Sequence, residues 1–338
     1  MTTIQSHHTL HEPTSTTTQE DTVRRALIIG LLVAVVSAAL FGTSGAVAKS
    51  LIVTGWDPGA AVAMRISLGA LVLAPFALRS MAGRWHLLRT PVALAHVGGF
   101  GLVAVAGCQL FYFLAVERLS VGVALMLEYL GPILVVGWLW LAHGQRPRRL
   151  TVAGIGLAMV GLLLVLDVMG DVQLSTVGVL WGLAAAVGLA VFFVIGSDDA
   201  SGLPPIAFSC FGMAIGAAAL ALAGAVGLVP MAWSTSAVSL AGVEAPFWVP
   251  LLWLGVGAAA LAYVTGIVAA RALGAKVSSF VGLAEVMFAV LWAWLLLGEL
   301  PAPVQLLGGL LILAGVVAVK IDERDDESPI EVEPVPAP

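Results

Sequence analysis

The stretch ALMLEYLGPILVVGWLWL, Ala124–Leu141, is apolar enough to enter a bilayer, yet it carries Glu128 and, one turn later, Pro132. A charge at the centre of a membrane helix costs at least about 2.5–3.5 kcal/mol on insertion scales, so it demands a reason. Proline has no N–H, and the carbonyl it leaves without a helical partner is that of residue 128. The stretch therefore reads as a membrane span with a carboxylate and a freed carbonyl at one kink. The second reading is structural, because membrane helices also accept proline for packing.

The rest of the chain supports the membrane setting. Of 338 residues, 60% are hydrophobic and 10% charged, with a mean hydropathy of +1.05. A soluble domain carries about 25% charged residues. The composition implies an integral membrane protein crossing the bilayer many times. Ten segments have the required length, roughly 26–48, 58–78, 92–116, 121–142, 151–168, 176–197, 205–228, 249–270, 277–297 and 303–320. Thirty-eight glycines suit close approach of helix backbones. The first apolar run follows a long polar lead and is too long for a cleaved leader. The net charge of −5 comes mostly from Asp322–Glu333, so it points to a solvated tail rather than to a nucleic-acid partner. His7, His8 and His11 lie in the polar lead and read as a stray cluster rather than a metal site. Cys108 and Cys210 read as small packing residues.

Lysine and arginine set the orientation. With both termini in the cytoplasm, that side receives Arg24, Arg25, Arg79, Arg84, Arg89, Arg146, Arg148, Arg149, Arg271, Lys276, Lys320 and Arg324. The outer side receives Lys49 and Arg118. The chain also repeats itself. A shift of 154 residues carries GQRP (Gly144–Pro147) onto GELP (Gly298–Pro301), Trp138 and Trp140 onto Trp292 and Trp294, Gly154 onto Gly308 and Gly161 onto Gly315. Each copy holds five spans, an odd number, so the second enters the membrane upside down. The expectation is an all-α fold of ten transmembrane helices in two inverted repeats, 26–170 and 171–320. A disordered tail, 1–25, precedes them and an acidic tail, 321–338, follows. Inverted repeats with a site at their interface are a transporter architecture.

Three charges fall inside spans: Arg65, Glu128 and Glu285. At about 1.5 Å per residue, Arg65 and Glu128 lie roughly 10 Å below the outer surface and can pair. Glu285 lies roughly 12 Å from the opposite surface, so the two glutamates bracket the midplane. Val286 stands where the repeat places Pro132, so the second copy is expected to lack the break. Gln109, Tyr112, Tyr129 and Tyr263 either line a cavity or hydrogen-bond between helices. The tryptophans at 138, 140, 292 and 294 fit an interfacial belt, as does His143 at a span end, and Lys49 can snorkel. No metal-ligand spacing, nucleophile motif or phosphate loop occurs, so no cofactor, no metal and no enzymatic activity are expected.

Two five-helix repeats, each with a G-[EQ]-x-P turn before a glycine-spaced last helix, resemble the EamA family of the drug/metabolite transporter superfamily. SGAVAKSL (Ser44–Leu51), AMRISLGAL (Ala63–Leu71), LFYFLAVERLSVGVALMLEYLGP (Leu110–Pro132) and LGELPAPVQLLG (Leu297–Gly308) are similar to bacterial threonine/homoserine exporters. The family's ninth span commonly has Glu-Pro, where this chain has Glu285-Val286. The resemblance implies an inner-membrane exporter of small amino acids or related metabolites, working by alternating access with proton coupling. Substrate-binding candidates are then Arg65, Glu128, Gln109, Tyr112 and Tyr263. Glu128 and Glu285 are the proton-coupling candidates. An exporter of drugs or other apolar or cationic compounds is the alternative, and a non-transporting membrane enzyme or interaction protein a third. The partners implied are a small-molecule substrate and the lipid bilayer; the oligomeric state stays open.

Overall fold

A computed structural model describes residues 16–119, 121–165, 175–240, 242–297 and 303–324. The polar lead with its histidines, the GELP turn at 298–301 and the tail beyond Arg324 lie outside the described residues.

Fourteen helices occupy most of the described chain: α1 Thr16–Gly42, α2 Ser44–Ile52, α3 Pro58–Ser80, α4 Pro91–Gly99, α5 Cys108–Arg118, α6 Val121–Glu128, α7 Gly131–His143, α8 Arg149–Val165, α9 Thr176–Ser197, α10 Pro205–Ala225, α11 Trp248–Gly255, α12 Ala262–Gly282, α13 Ala284–Leu297 and α14 Pro303–Arg324. The starts follow capping chemistry. Proline opens α3, α4 and α10, where its missing N–H costs nothing. Thr90 Oγ1 accepts from the Ala93 N–H at 3.2 Å and Ser175 Oγ from the Gly178 N–H at 3.3 Å. Gly144 ends α7 at φ 70°, a left-handed position that glycine takes without penalty.

Six helical stretches are long and apolar enough to cross a membrane: Arg24–Ile52, Pro58–Ser80, Pro91–Arg118, Thr176–Ser197, Pro205–Ala225 and Trp248–Gly282. The remaining apolar segments are shorter or broken among the described residues. The fold is also not purely helical. Val238–Leu240 (β1) pairs antiparallel with Val243–Ala245 (β2), Ser239 facing Glu244. Gly242 at φ 75° turns this hairpin, and β-branched Val238 and Val243 suit its strands.

The internal repeat is visible in irregularities. Phe100–Gly107 joins α4 to α5 as π-helix, and Val256–Leu261 joins α11 to α12 in the same way. The second segment lies 154 residues after the last part of the first. Likewise α6 and α7 are separated by a turn at Tyr129–Leu130, and α12 and α13 by one at Leu283. The second copy therefore has the break that its lack of proline argued against. Pro132 sits in the first turn of α7 rather than inside a bent helix. Its role is to start a helix, which a second copy can do with other residues.

Helices α8 and α14 pack closely and run antiparallel. A Cβ on Gly154 would meet the Gly315 carbonyl at 2.9 Å, and one on Gly161 the Gly308 carbonyl at 2.6 Å. These are the glycines that the 154-residue shift equates, now paired crosswise. Backbone contact this close needs residues without side chains. Elsewhere α1 packs on α12, α3 on α10 and α5 on α9. Gly188 of α9 closes on Cys108 of α5, where a Cβ would come within 2.5 Å of the Cys108 Cβ. An aromatic cluster of Phe41, Phe100, Phe192 and Tyr263 fills the centre, with ring centroids 5.1–6.3 Å apart.

Candidate functional site

A cavity with two lobes lies among α1, α2, α3, α5, α6, α9, α12 and α13. One lobe, of about 60 Å³, is walled by Ser37, Phe41, Cys108, Phe192, Phe193, Tyr263 and Ser278 among others. The other, of about 250 Å³, is walled by Ser44, Lys49, Arg65, Tyr112 and Leu125 among others. Phe41, Gln109, Glu128 and Glu285 line both. Both glutamates therefore border the waist between the two lobes. The residues singled out from the sequence, Arg65, Gln109, Tyr112, Glu128, Tyr263 and Glu285, all reach this cavity. Lys49 does so too, at the last turn of α2, so its place is the cavity wall as well as the helix end.

Arg65 is fully buried in α3. It does not pair with Glu128. Its Nη1 donates to the Gln109 side-chain oxygen, and its Nη2 donates to the Ala258 carbonyl at 2.5 Å. Ala258 belongs to the π segment before α12, so this one guanidinium ties α3 and α5 of the first copy to the second copy. Its Nε has no hydrogen-bond partner among the described residues. A buried cation held by neutral acceptors keeps its full charge uncompensated nearby, a costly arrangement that calls for an anion.

Glu128 is 7% exposed and ends α6. The Cys108 thiol donates to its Oε1 at 3.4 Å and lies 3.5 Å from the Ala185 carbonyl. Glu285 is half-buried in the first turn of α13, where the positive end of the helix dipole favours a carboxylate. Tyr129 is buried in the turn between α6 and α7, and Tyr263 in α12. Each carboxylate thus sits at a helix break, and a break exposes backbone groups that a continuous helix would use internally.

One residue escaped the sequence reading of the site. Cys108 is a contact of Glu128 rather than simple packing. A thiol is cheap to place in apolar surroundings, so it does not stand out by type. Trp292 donates to the Ala39 carbonyl at 2.9 Å, joining α13 to α1. Trp138 and Trp140 stay half exposed, while the Trp294 side chain is outside the described residues. Among the described residues no group of three or more His, Cys, Asp or Glu gathers as metal ligands do.

The pattern of the EamA-like transporter family matches residues 28–167 and again 176–321. An uncharacterized transporter of Archaeoglobus fulgidus is 25% identical over 293 residues, covering 87% of this chain and 97% of the relative. The uncharacterized inner membrane transporter YicL of Salmonella typhimurium is 24% identical over 301 residues, 87% of this chain and 96% of its own. YwfM of Bacillus subtilis, also an uncharacterized transporter, is 24% identical over 301 residues, 88% of this chain and 95% of its own. A solved crystal structure with 22% identity superposes at a TM-score of 0.70, covering 88% of this chain and 99% of that one, a likeness of fold. Two matches in tandem span both halves of the repeat, and the chain belongs to the EamA-like transporter family.

Proposed function

We propose that the protein is a secondary transporter that exports small amino acids or related metabolites across a bacterial inner membrane, with proton coupling. Ten spans in two inverted repeats would rock about the central cavity, both termini facing the cytoplasm, as the lysine and arginine distribution argues. The observation that carries the reading is the convergence of Arg65, Glu128 and Glu285 on one cavity between the two copies. An amino acid is a zwitterion. Arg65, whose Nε lacks a partner among the described residues, suits its carboxylate. Glu128 suits its amine. Gln109, Tyr112 and Tyr263 add donors and acceptors around it. A glutamate can exist charged or neutral, so Glu128 and Glu285 can carry the proton that drives export. Crosswise packing of equivalent glycines between α8 and α14 supports the inverted relation.

The test is efflux from preloaded proteoliposomes across a panel of amino acids, with and without a pH gradient. Movement of at least one panel member, faster with the gradient, is expected; a panel that stays inside in all conditions overturns the reading. One feature favours a second substrate class. Phe41, Phe192 and Phe193 stand beside two carboxylates, a setting that also attracts lipophilic cations. That reading predicts efflux of cationic drugs, with Arg65→Ala transporting at an unchanged rate.

A further inference from the structure

At the basic end of the molecule, away from the central site, a cavity of about 450 Å³ is lined by Gln145, Arg146, Pro147, Arg148, Thr151 and Lys276, with Val136 and Leu139 at its base. The arginines belong to the turn between α7 and α8 in the first copy. Lys276 follows the bend at Gly274, φ 77°, in the second copy. Three cations from both copies thus line one space of about 450 Å³. An anion placed there bridges the two repeats.

We infer that this cavity is an anion site for the chain's own acidic C-terminal segment, Asp325–Glu333. Three observations support that occupant. First, the segment has the complementary charge: Asp325, Asp326, Glu327, Glu331 and Glu333, with no lysine or arginine after Arg324. Second, it starts in the right place. α14 runs antiparallel to α8, with Ala318 and Val319 against Gly154. In this register Ala318 comes level with Thr151 and Ile321 with Arg148, so α14 ends about one turn further on, level with Gln145. Third, the segment is tethered. A tether of a few residues supplies an effective concentration of order mM, so weak charge pairing suffices for occupancy. Pairing between partly exposed charges is screened by salt, with a Debye length of about 10 Å at 0.1 M.

The experiment uses the full chain in nanodiscs of phosphatidylcholine, treated with a water-soluble carbodiimide that joins carboxylates to amines, followed by peptide mass spectrometry. The expected result is a Lys276 amide to Asp325, Asp326 or Glu327, falling at least five-fold in 1 M NaCl. A similar fall is expected in the R146Q/R148Q variant, whose changes lie in a polar turn and leave the helices intact. Lys276 linked to no residue of the tail overturns the inference, as does a link indifferent to salt and to R146Q/R148Q. A link abolished by adding one-third phosphatidylglycerol, with that lipid retained on the protein, overturns it in favour of a lipid headgroup.

Discussion

Arg65 is a fully buried cation, and its surroundings say most about the site. It is buried, tied to Gln109 and to the Ala258 carbonyl, and without a carboxylate partner in contact. Replacing Gln109 with leucine removes one acceptor from a buried cation and should lower stability by about 2 kcal/mol, read as a fall in thermal unfolding midpoint in detergent. Gln109→Glu, which restores an acceptor, should recover most of it. No loss in Gln109→Leu would mean that the guanidinium finds another partner. Arg65, Glu128 and Glu285 were legible in the sequence because a charge in an apolar run is conspicuous. That Arg65 chooses an amide and a carbonyl over Glu128 was not legible. That choice depends on a π-helical carbonyl of the other copy, to which no local pattern points.

Helix breaks and glycine contacts carry the element-level account. Gly161 faces the Gly308 carbonyl, whereas Gly156, five residues earlier, faces open space. Gly161→Leu should push α8 from α14 and destabilise by about 1–3 kcal/mol, the usual cost of overpacking, while Gly156→Leu should be neutral. Equal unfolding midpoints for the two variants would remove the proposed helix contact. Pro132→Ala makes a different point. The second copy breaks at Leu283 without proline, so alanine in the first turn of α7 should leave stability within about 1 kcal/mol of the parent. A large loss would show that proline itself holds the turn. From sequence, Pro132 marked the first break, but nothing in Gly282-Leu283-Ala284 or in the two π segments differs from ordinary apolar helix. Those features come from packing between copies, and only the 154-residue periodicity could have carried the break from one to the other.

For the whole molecule, the composition, the multi-pass membrane character and the repeat were readable because the bilayer imposes length and apolarity on every crossing. Contacts between the copies were not, since they join residues far apart in sequence. His96 of α4 meets Asp198 at the end of α9 in one such contact, Nε2 to Oδ2 at 3.0 Å. The Ala200 N–H, donating to Asp198 at 2.8 Å, and then His96 hold that carboxyl below its ordinary range. A lowered carboxylate contributes above its unfolded value of about 3.9 and loses that contribution as pH falls through the folded value. The tie is therefore present at neutral pH. Both groups are partly exposed, so Asp198→Asn should cost less than about 0.5 kcal/mol at pH 7, and that difference should vanish in strong acid. A loss that grows as the pH falls would contradict the sign. The central claim concerns the cavity that the two copies enclose, and Glu128 is its most direct probe. Initial efflux rates of a transported amino acid from proteoliposomes should fall at least ten-fold in Glu128→Gln and lose their dependence on the pH gradient. A Glu128→Gln protein that exports at the parent rate, with the same response to pH, would contradict the account.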